Sequence, residues 1–249
     1  MIPVLNIGLG NGKIMITVTL PKIFQPFHCE DLIRLGKNND GGYLVNKQDV
    51  INSKNILSLG IGEDWSFEKD FIKINDCKLN AYDNSLNKSR LQNNKALEDS
   101  YNTFFSGNKY HVEKNIGSGF NDISFKAVST EKDTFLKCDI EGAEYDILFD
   151  LIKLTKQYTG MVIEFHEINK PNNFHNLINF VSKVDHKLVH IHVNNYFYYK
   201  TDNGCVPDIL ELTFTSSPNI SLVRDITLPN KLDMPNNPKD EEFSILFLI

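Results

Sequence analysis

The sequence predicts an α/β fold, a mostly parallel sheet with helices on both faces. From residue 55 onward, seven apolar runs of strand length recur: "NILSLG" (55–60), "KLNAYD" (78–83), "KYHVE" (109–113), "FLKCD" (135–139), "GMVIEFH" (160–166), "KLVHIHV" (187–193) and "DILELTF" (208–214). Intervening stretches such as "DWSFEKDFIKIN", "AEYDILFDLIKLTKQ" and "NNFHNLINFVSKV" space their apolar residues three and four apart, the period of an amphipathic helix. Strand then helix, repeated, calls for crossover connections and hence parallel pairing with both faces covered. Between 193 and 208 the helical period is lost to tyrosines, Asp202, Gly204 and Pro207, so the last two runs are expected to pair antiparallel through a loop.

Ahead of this series, "IPVLNIGL" and the alternating "KIMITVTL" flank Gly10, Asn11 and Gly12 and predict a β-hairpin over residues 2–20. A second hairpin is expected over 31–46, turning between Asn38 and Gly42. Residues 1–52 therefore read as an N-terminal hairpin and cap segment, and 53–249 as the main domain. After Pro229 a proline-containing loop leads to a last apolar strand, "FSILFLI", suited to sealing a sheet edge or joining a second copy of the chain.

Composition narrows the classes. With 41% hydrophobic and 23% charged residues among 249, the chain has the profile of a globular protein. Its formal charge of −6 argues against nucleic acid as a partner. The four cysteines form no C-x-x-C pair, which leaves no zinc ribbon or redox dithiol. No signal-peptide pattern and no apolar window approaching ~18 residues is present, so the expectation is a cytoplasmic protein without a membrane span.

The first strand of the series runs into "GIGEDWSFE", where Gly60 and Gly62 permit a tight turn against a ligand. Asp83 closes the second strand about twenty residues on, where a carboxylate can hold both ribose hydroxyls of a nucleoside. A dinucleotide fingerprint would place a glycine at position 65, which is Trp65. Glu63 and Asp64 stand where a pyrophosphate needs positive potential, and they would repel it. S-adenosylmethionine carries an adenosine, an ammonium and a sulfonium, and no phosphate. The cofactor set expected is Gly60, Gly62, Glu63, Asp64, Trp65 and Asp83.

"ILSLGIGEDWSFEKDF", "LKCDIEGAEYDIL" and "MVIEFH" resemble the FkbM-like S-adenosylmethionine-dependent methyltransferases, whose signature K-x-D-x-E-G-x-E is matched by Lys137, Asp139, Glu141, Gly142 and Glu144. "RLGKNNDGGYLV" and "HIHVNN...PDILELTF" resemble flanking blocks of a bacterial branch tied to sugar and surface-polysaccharide modification. Together the blocks span residues 34 to 214. The glycine turn departs from the longer G-x-N-x-G form of the wider family. The resemblance implies a Rossmann-like class I methyltransferase fold, seven-stranded with the last strand antiparallel, and an O-methyltransferase acting on a small carbohydrate-type acceptor, phosphorylated or nucleotide-linked, in capsular polysaccharide biosynthesis.

Methyl transfer from a sulfonium is an in-line displacement, so the protein must align a nucleophile and take its proton. Asp139, His166 and His192 end the fourth, fifth and sixth strands and are the expected catalytic residues, the histidines as bases because free imidazole titrates near pH 6.5. The same strand ends can instead bind a divalent ion such as Mg²⁺ through Asp139, Glu164 and His192. "NNDGGY" is expected to fold over the cofactor with Asp40 or Tyr43 touching it. Arg34, Lys37, Glu141, Glu164, Asn194 and Tyr196 are expected at the acceptor, Tyr196 as part of an aromatic wall with Phe197, Tyr198 and Tyr199. Two rival readings share the fold. An NAD-dependent sugar oxidoreductase or epimerase predicts a Tyr-x-x-x-Lys pair, which this chain lacks in the expected place directly after the fifth strand; a methyltransferase-fold protein without turnover predicts cofactor binding alone. Self-association is compatible with either.

Overall fold

The computed structural model describes residues 4–10, 13–201, 204–218, 220–221 and 226–248. Two hairpins come first: β1 (Val4–Gly10) with β2 (Lys13–Leu20), and β3 (Leu32–Leu35) with β4 (Tyr43–Asn46). Asn11 and Gly12, expected in the first turn, lie outside the described residues. The main series then runs α1 (Lys47–Asn52), β5 (Asn55–Leu59), α2 (Ser66–Ile74), β6 (Lys78–Tyr82), α3 (Lys88–Gln92), α4 (Lys95–Phe104), β7 (Lys109–Val112), α5 (Phe125–Val128), β8 (Thr134–Cys138), α6 (Glu144–Leu154), β9 (Tyr158–Phe165), α7 (Pro171–Lys183), β10 (Lys187–Thr201), β11 (Gly204–Thr215) and β12 (Ser244–Phe247).

Strands β7, β6, β5, β8 and β9 lie side by side in that order, all parallel, and β11 then pairs antiparallel with β9 and with β10. Counted from β5, the spatial order is third, second, first, fourth, fifth, seventh, sixth. The chain reverses direction across the sheet between β5 and β8, which opens a crevice at their carboxyl ends. The first hairpin continues the same sheet: β1 meets β11 at Leu5 and Cys205, and β12 lies parallel to β2 and covers its edge.

Alternation along the strands explains why both faces are buried. On β5, Ile56 packs with Phe67 and Phe71 of α2, while Leu57 and Leu59 face the cluster that holds Ile147 and Leu151 of α6 and Phe174 and Phe180 of α7. On β8, Phe135 joins the first cluster, and Leu136 and Cys138 the second. No helix among the described residues is long and apolar enough to cross a membrane.

The expected loop of tyrosines is a strand. β10 runs unbroken past Asn194 to Thr201, pairing Tyr198 with Pro207 and Tyr199 with Val206 after a bulge. Aromatic residues fit a pleated strand without an alternating pattern, so Tyr196, Phe197, Tyr198 and Tyr199 continue the strand where alternation stops.

Candidate functional site

The strand parity that buries the core also builds a polar ridge on one face. Ser58 of β5, Lys137 of β8, Glu164 of β9, Glu211 of β11 and His192 of β10 are all buried, and Glu211 is in register with both Glu164 and His192. Tyr43 of the second hairpin is buried above it, its hydroxyl 2.7 Å from Glu164 Oε2 and 3.1 Å from Asp139 Oδ2.

At the crevice, Gly60 has φ +76°, and a Cβ there would stand 1.6 Å from the Asp139 carbonyl oxygen. Only glycine permits the approach. The Asp139 N–H donates to Leu59 O at 2.9 Å, Gly60 N–H donates to Tyr82 O at 2.9 Å, and the buried Lys137 ammonium donates to Gly60 O, so three strand ends are tied at one residue. Burial disfavours the charge on Lys137, but Asp139, Glu68 and Glu164 outweigh it and raise its pKa.

A cavity of about 520 Å³ opens here, in the range that holds a nucleoside-sized ligand. Of the residues expected at the cofactor, Gly60, Gly62, Glu63, Asp64, Asp83 and Asp40 line it, and so do Lys37, Asp139 and Glu141. Trp65 does not. It is 2% exposed and packs edge-on against Tyr101 and Phe105, because the helical turn starting at Ser66 rotates its indole into the core. Residues that the sequence reading did not select, Ser85, Asn115, Ile116 and Asp122, complete the wall. Asn115 and Ile116 follow the third parallel strand, and their place beyond a strand end was the one signal that could have found them.

Asp83 does more than face the cavity. Oδ2 accepts from the Ile61 and Gly62 N–H groups at 2.8 and 2.7 Å, and Oδ1 from Ser85 and Leu86 N–H at 2.6 and 3.2 Å. Burial pushes its pKa up, yet these bonds prevail and hold it below the usual carboxylate value. Asp83 thus shapes the glycine loop, a role the ribose expectation did not include. Asp83→Ala should weaken binding of the cavity's ligand by ~1.5–3 kcal/mol, the worth of charge-assisted hydrogen bonds; calorimetry showing unchanged affinity would remove this role.

The strand ends of β8 and β9 hold the second half of the site. His166 Nδ1 lies 3.0 Å from Glu144 Oε1, and Asn194 donates to Glu164 Oε1 at 3.1 Å. Burial opposes charge on His166, but Glu144, Glu164 and Asp139 lift its pKa to about 10. The ring held this way is a cation near neutrality, unlike the base titrating near 6.5 that the sequence led us to expect. Glu141, at φ +55°, projects from the loop with its side chain 86% exposed. Asp139, Glu164 and His166 can together offer three metal-ligating atoms. The expected metal set had His192 in the place His166 takes.

His192 is elsewhere. Its Nδ1 is 3.0 Å from Glu211 and its Nε2 3.1 Å from Glu242, so neither nitrogen is free to take a substrate proton. Burial disfavours the imidazolium, but the two carboxylates raise its pKa well above 6.5. This corrects its assignment as base: the residue that occupies it, Glu242, comes from a loop 50 positions away. A group whose folded pKa is raised stabilises fully below the unfolded value of about 6.5 and loses that contribution as pH rises toward the folded value. His192→Ala should therefore lower stability by ~3–5 kcal/mol at pH 6, leaving the buried Glu211 and the partly buried Glu242 without their shared cation. Denaturant melts at pH 6 and 9 should show the loss shrinking at the higher pH; a pH-independent loss would count against the ion pair.

Arg34 and Tyr196 also leave the expected site. The Arg34 guanidinium donates to Lys37 O at 3.2 Å and Asn39 O at 2.9 Å, bracketing the hairpin turn. Tyr196 is 44% exposed on the projecting part of β10, with Phe197, Tyr198 and Tyr199 exposed beside it. Lys37 is at the cavity, paired with Asp64 at 3.1 Å, and Asp40 accepts from Asn236 at 3.3 Å.

No protein-family model and no curated protein matches the chain. Solved structures do. A precorrin-6y C5,15-methyltransferase from Geobacter metallireducens is 12% identical over 68% of this chain and 85% of that one, with TM-score 0.40. TYW2 of M. jannaschii, in complex with AdoMet, is 10% identical over 76% and 88%, also at 0.40. An rRNA methylase from Streptococcus thermophilus is 8% identical over 68% and 93%, at 0.39. At such distances likeness says nothing of substrate, and the fold is read from the strand order itself. It is the class I methyltransferase fold. One expectation is corrected here: the acidic net charge does not exclude a nucleic-acid partner. Net charge sums over the molecule, whereas a nucleic-acid interface is a local patch.

Proposed function

We propose that this chain is an S-adenosylmethionine-dependent O-methyltransferase of the FkbM-like type, acting on a small hydroxylated acceptor of the carbohydrate class. The observation that carries the reading is the charge of the cavity. Seven carboxylates line it, those of Asp40, Glu63, Asp64, Asp83, Asp122, Asp139 and Glu141, against the ammonium groups of Lys37, Lys114 and Lys137. Such a wall repels a pyrophosphate and attracts a cationic nucleoside. It also favours a neutral sugar over a phosphorylated or nucleotide-linked one.

The FkbM-like signature supports the reading because each of its residues has work in this one place. Lys137 ties the glycine turn, Asp139 and Glu141 face the cavity, Gly142 takes φ +102°, and Glu144 orients His166. Bound S-adenosylmethionine would supply an electrophilic methyl group. Gly60, Gly62, Asp83 and Ile116, which line the cavity, would hold its nucleoside. Asp139 and Glu141 hold the acceptor hydroxyl and receive its proton, while Tyr43 and Asn194 keep Glu164 in place. The second hairpin, β3 with β4, serves as the cap, with Tyr43 as the contact that couples it to the site.

Calorimetry decides the cofactor. S-Adenosylmethionine and S-adenosylhomocysteine are expected to bind and NAD is not; NAD binding without the sulfonium compound would sink the reading and restore the oxidoreductase. Transfer of labelled methyl to neutral sugars, in competition with their phosphates, tests the acceptor class.

A further inference from the structure

The two nitrogens of His166 are held differently. Its side chain is 10% exposed, and Nδ1 is engaged by Glu144, a carboxylate with no solvent exposure that also accepts from the Ile140 and Gly142 N–H groups at 3.0 Å each. Nε2 points instead into a gap bounded by carboxylate oxygens of Glu141 at 3.5 Å, Glu164 at 3.7 Å and Asp139 at 3.9 Å. Those separations are too long for good hydrogen bonds. They approach the spacing of ligands around a common ion, since donors ~2.0–2.2 Å from a metal stand about 3–3.5 Å apart. Ligand atoms of Asp139, Glu164 and His166 all lie within 4.8 Å of one another.

We propose that Asp139, Glu164 and His166 bind a divalent transition-metal ion, with Glu144 as the residue that positions the imidazole. A carboxylate on the far nitrogen of a ligating histidine fixes both its tautomer and its orientation. Glu164 is fixed too, by Tyr43 at 2.7 Å and Asn194 at 3.1 Å. Charge points the same way. The carboxylates of Asp139, Glu141, Glu144 and Glu164 outnumber the cations beside them, the Lys137 ammonium 3.6 Å from Asp139 and the His166 ring, and a divalent ion in place of the His166 proton lowers that excess. The imidazole in the set suits Zn²⁺ better than Mg²⁺, and the two carboxylates suit Mn²⁺. Glu141 and the exposed edge of Asp139 face the cavity, so the ion keeps positions open on the acceptor side. There it would lower the pKa of a coordinated hydroxyl, whose proton passes to the uncoordinated oxygen of Asp139 or to Glu141. This last role rests on the methyltransferase reading; ion binding does not.

The test is a Mn²⁺ titration of EDTA-treated full-length chain, with free Mn²⁺ followed by electron paramagnetic resonance. One saturable site per chain is expected, lost in His166→Ala and weakened 10–100-fold in Glu144→Gln, the usual effect of removing an orienting partner. Circular dichroism confirms folding, and Glu164→Gln serves if His166→Ala does not fold. Absence of a saturable site for Mn²⁺ and for Zn²⁺ in the unmodified chain overturns the proposal, as does a site indifferent to these substitutions. Calorimetry with S-adenosylmethionine on the same preparation separates the two readings: Mn²⁺ binding without cofactor binding keeps the metal site and rejects the methyltransferase, and the reverse result does the opposite.

Discussion

Gly60→Ala is expected to abolish cofactor binding and to lower the melting temperature on the order of 10 °C. The new Cβ would meet the Asp139 carbonyl oxygen at 1.6 Å and its carbon at 2.8 Å, both backbone atoms that no rotamer change can move. Relief requires the ends of β5 and β8 to part, which breaks the bond from Asp139 N–H to Leu59 O. The left-handed backbone adds ~1–3 kcal/mol for a residue other than glycine, overpacking adds ~1–3 kcal/mol more, and each kcal/mol lowers the midpoint by about 2–4 °C in a chain of this size. Gly62→Ala is the control. Gly62 also has positive φ, +50°, but a Cβ there meets nothing within 4 Å. Differential scanning calorimetry should show Gly62→Ala losing much less; equal losses would mean that the close approach at Gly60 is not what constrains the turn.

Asp139→Asn is expected to reduce turnover by about 10²–10⁴-fold, the range for losing a positioned proton acceptor, while S-adenosylmethionine still binds. The substitution keeps the size of the side chain and removes the charge that faces the cavity and the Lys137 ammonium at 3.6 Å. Lys137 keeps its bond to Gly60 O, so the turn is held in the variant. Single-turnover measurement with preloaded cofactor isolates the methyl-transfer step; an unchanged rate would place the chemistry away from the end of β8.

Local patterns made much of this legible. Strand periodicity marked the seven strands from β5 to β11 of the ten-stranded sheet, and the glycines and acids of "GIGEDW" marked the crevice. Parity alone placed Glu164 and His166 on one face. The failures share a cause: each depended on a partner far along the chain. Trp65 could not be known to turn inward without α4 and the segment after it, which supply Tyr101 and Phe105. His192 could not be known to be closed off without Glu242. Arg34 is expected at the acceptor because nothing in sequence shows that the turn at Lys37 and Asn39 presents its carbonyls to the guanidinium.

By itself the sequence determined the layered α/β architecture, the order of its strands and helices, and the position of an acidic crevice. These follow from side-chain periodicity and glycine's backbone freedom, which act over a few residues. Tertiary structure alone decided that His166 rather than His192 joins Asp139 and Glu164, that Glu144 orients it, and that the loop carrying Glu242 closes the sixth strand. Those outcomes depend on charges and hydrogen bonds between strand ends and loops 19 to 50 residues apart, where only the folded register brings the atoms within 4 Å.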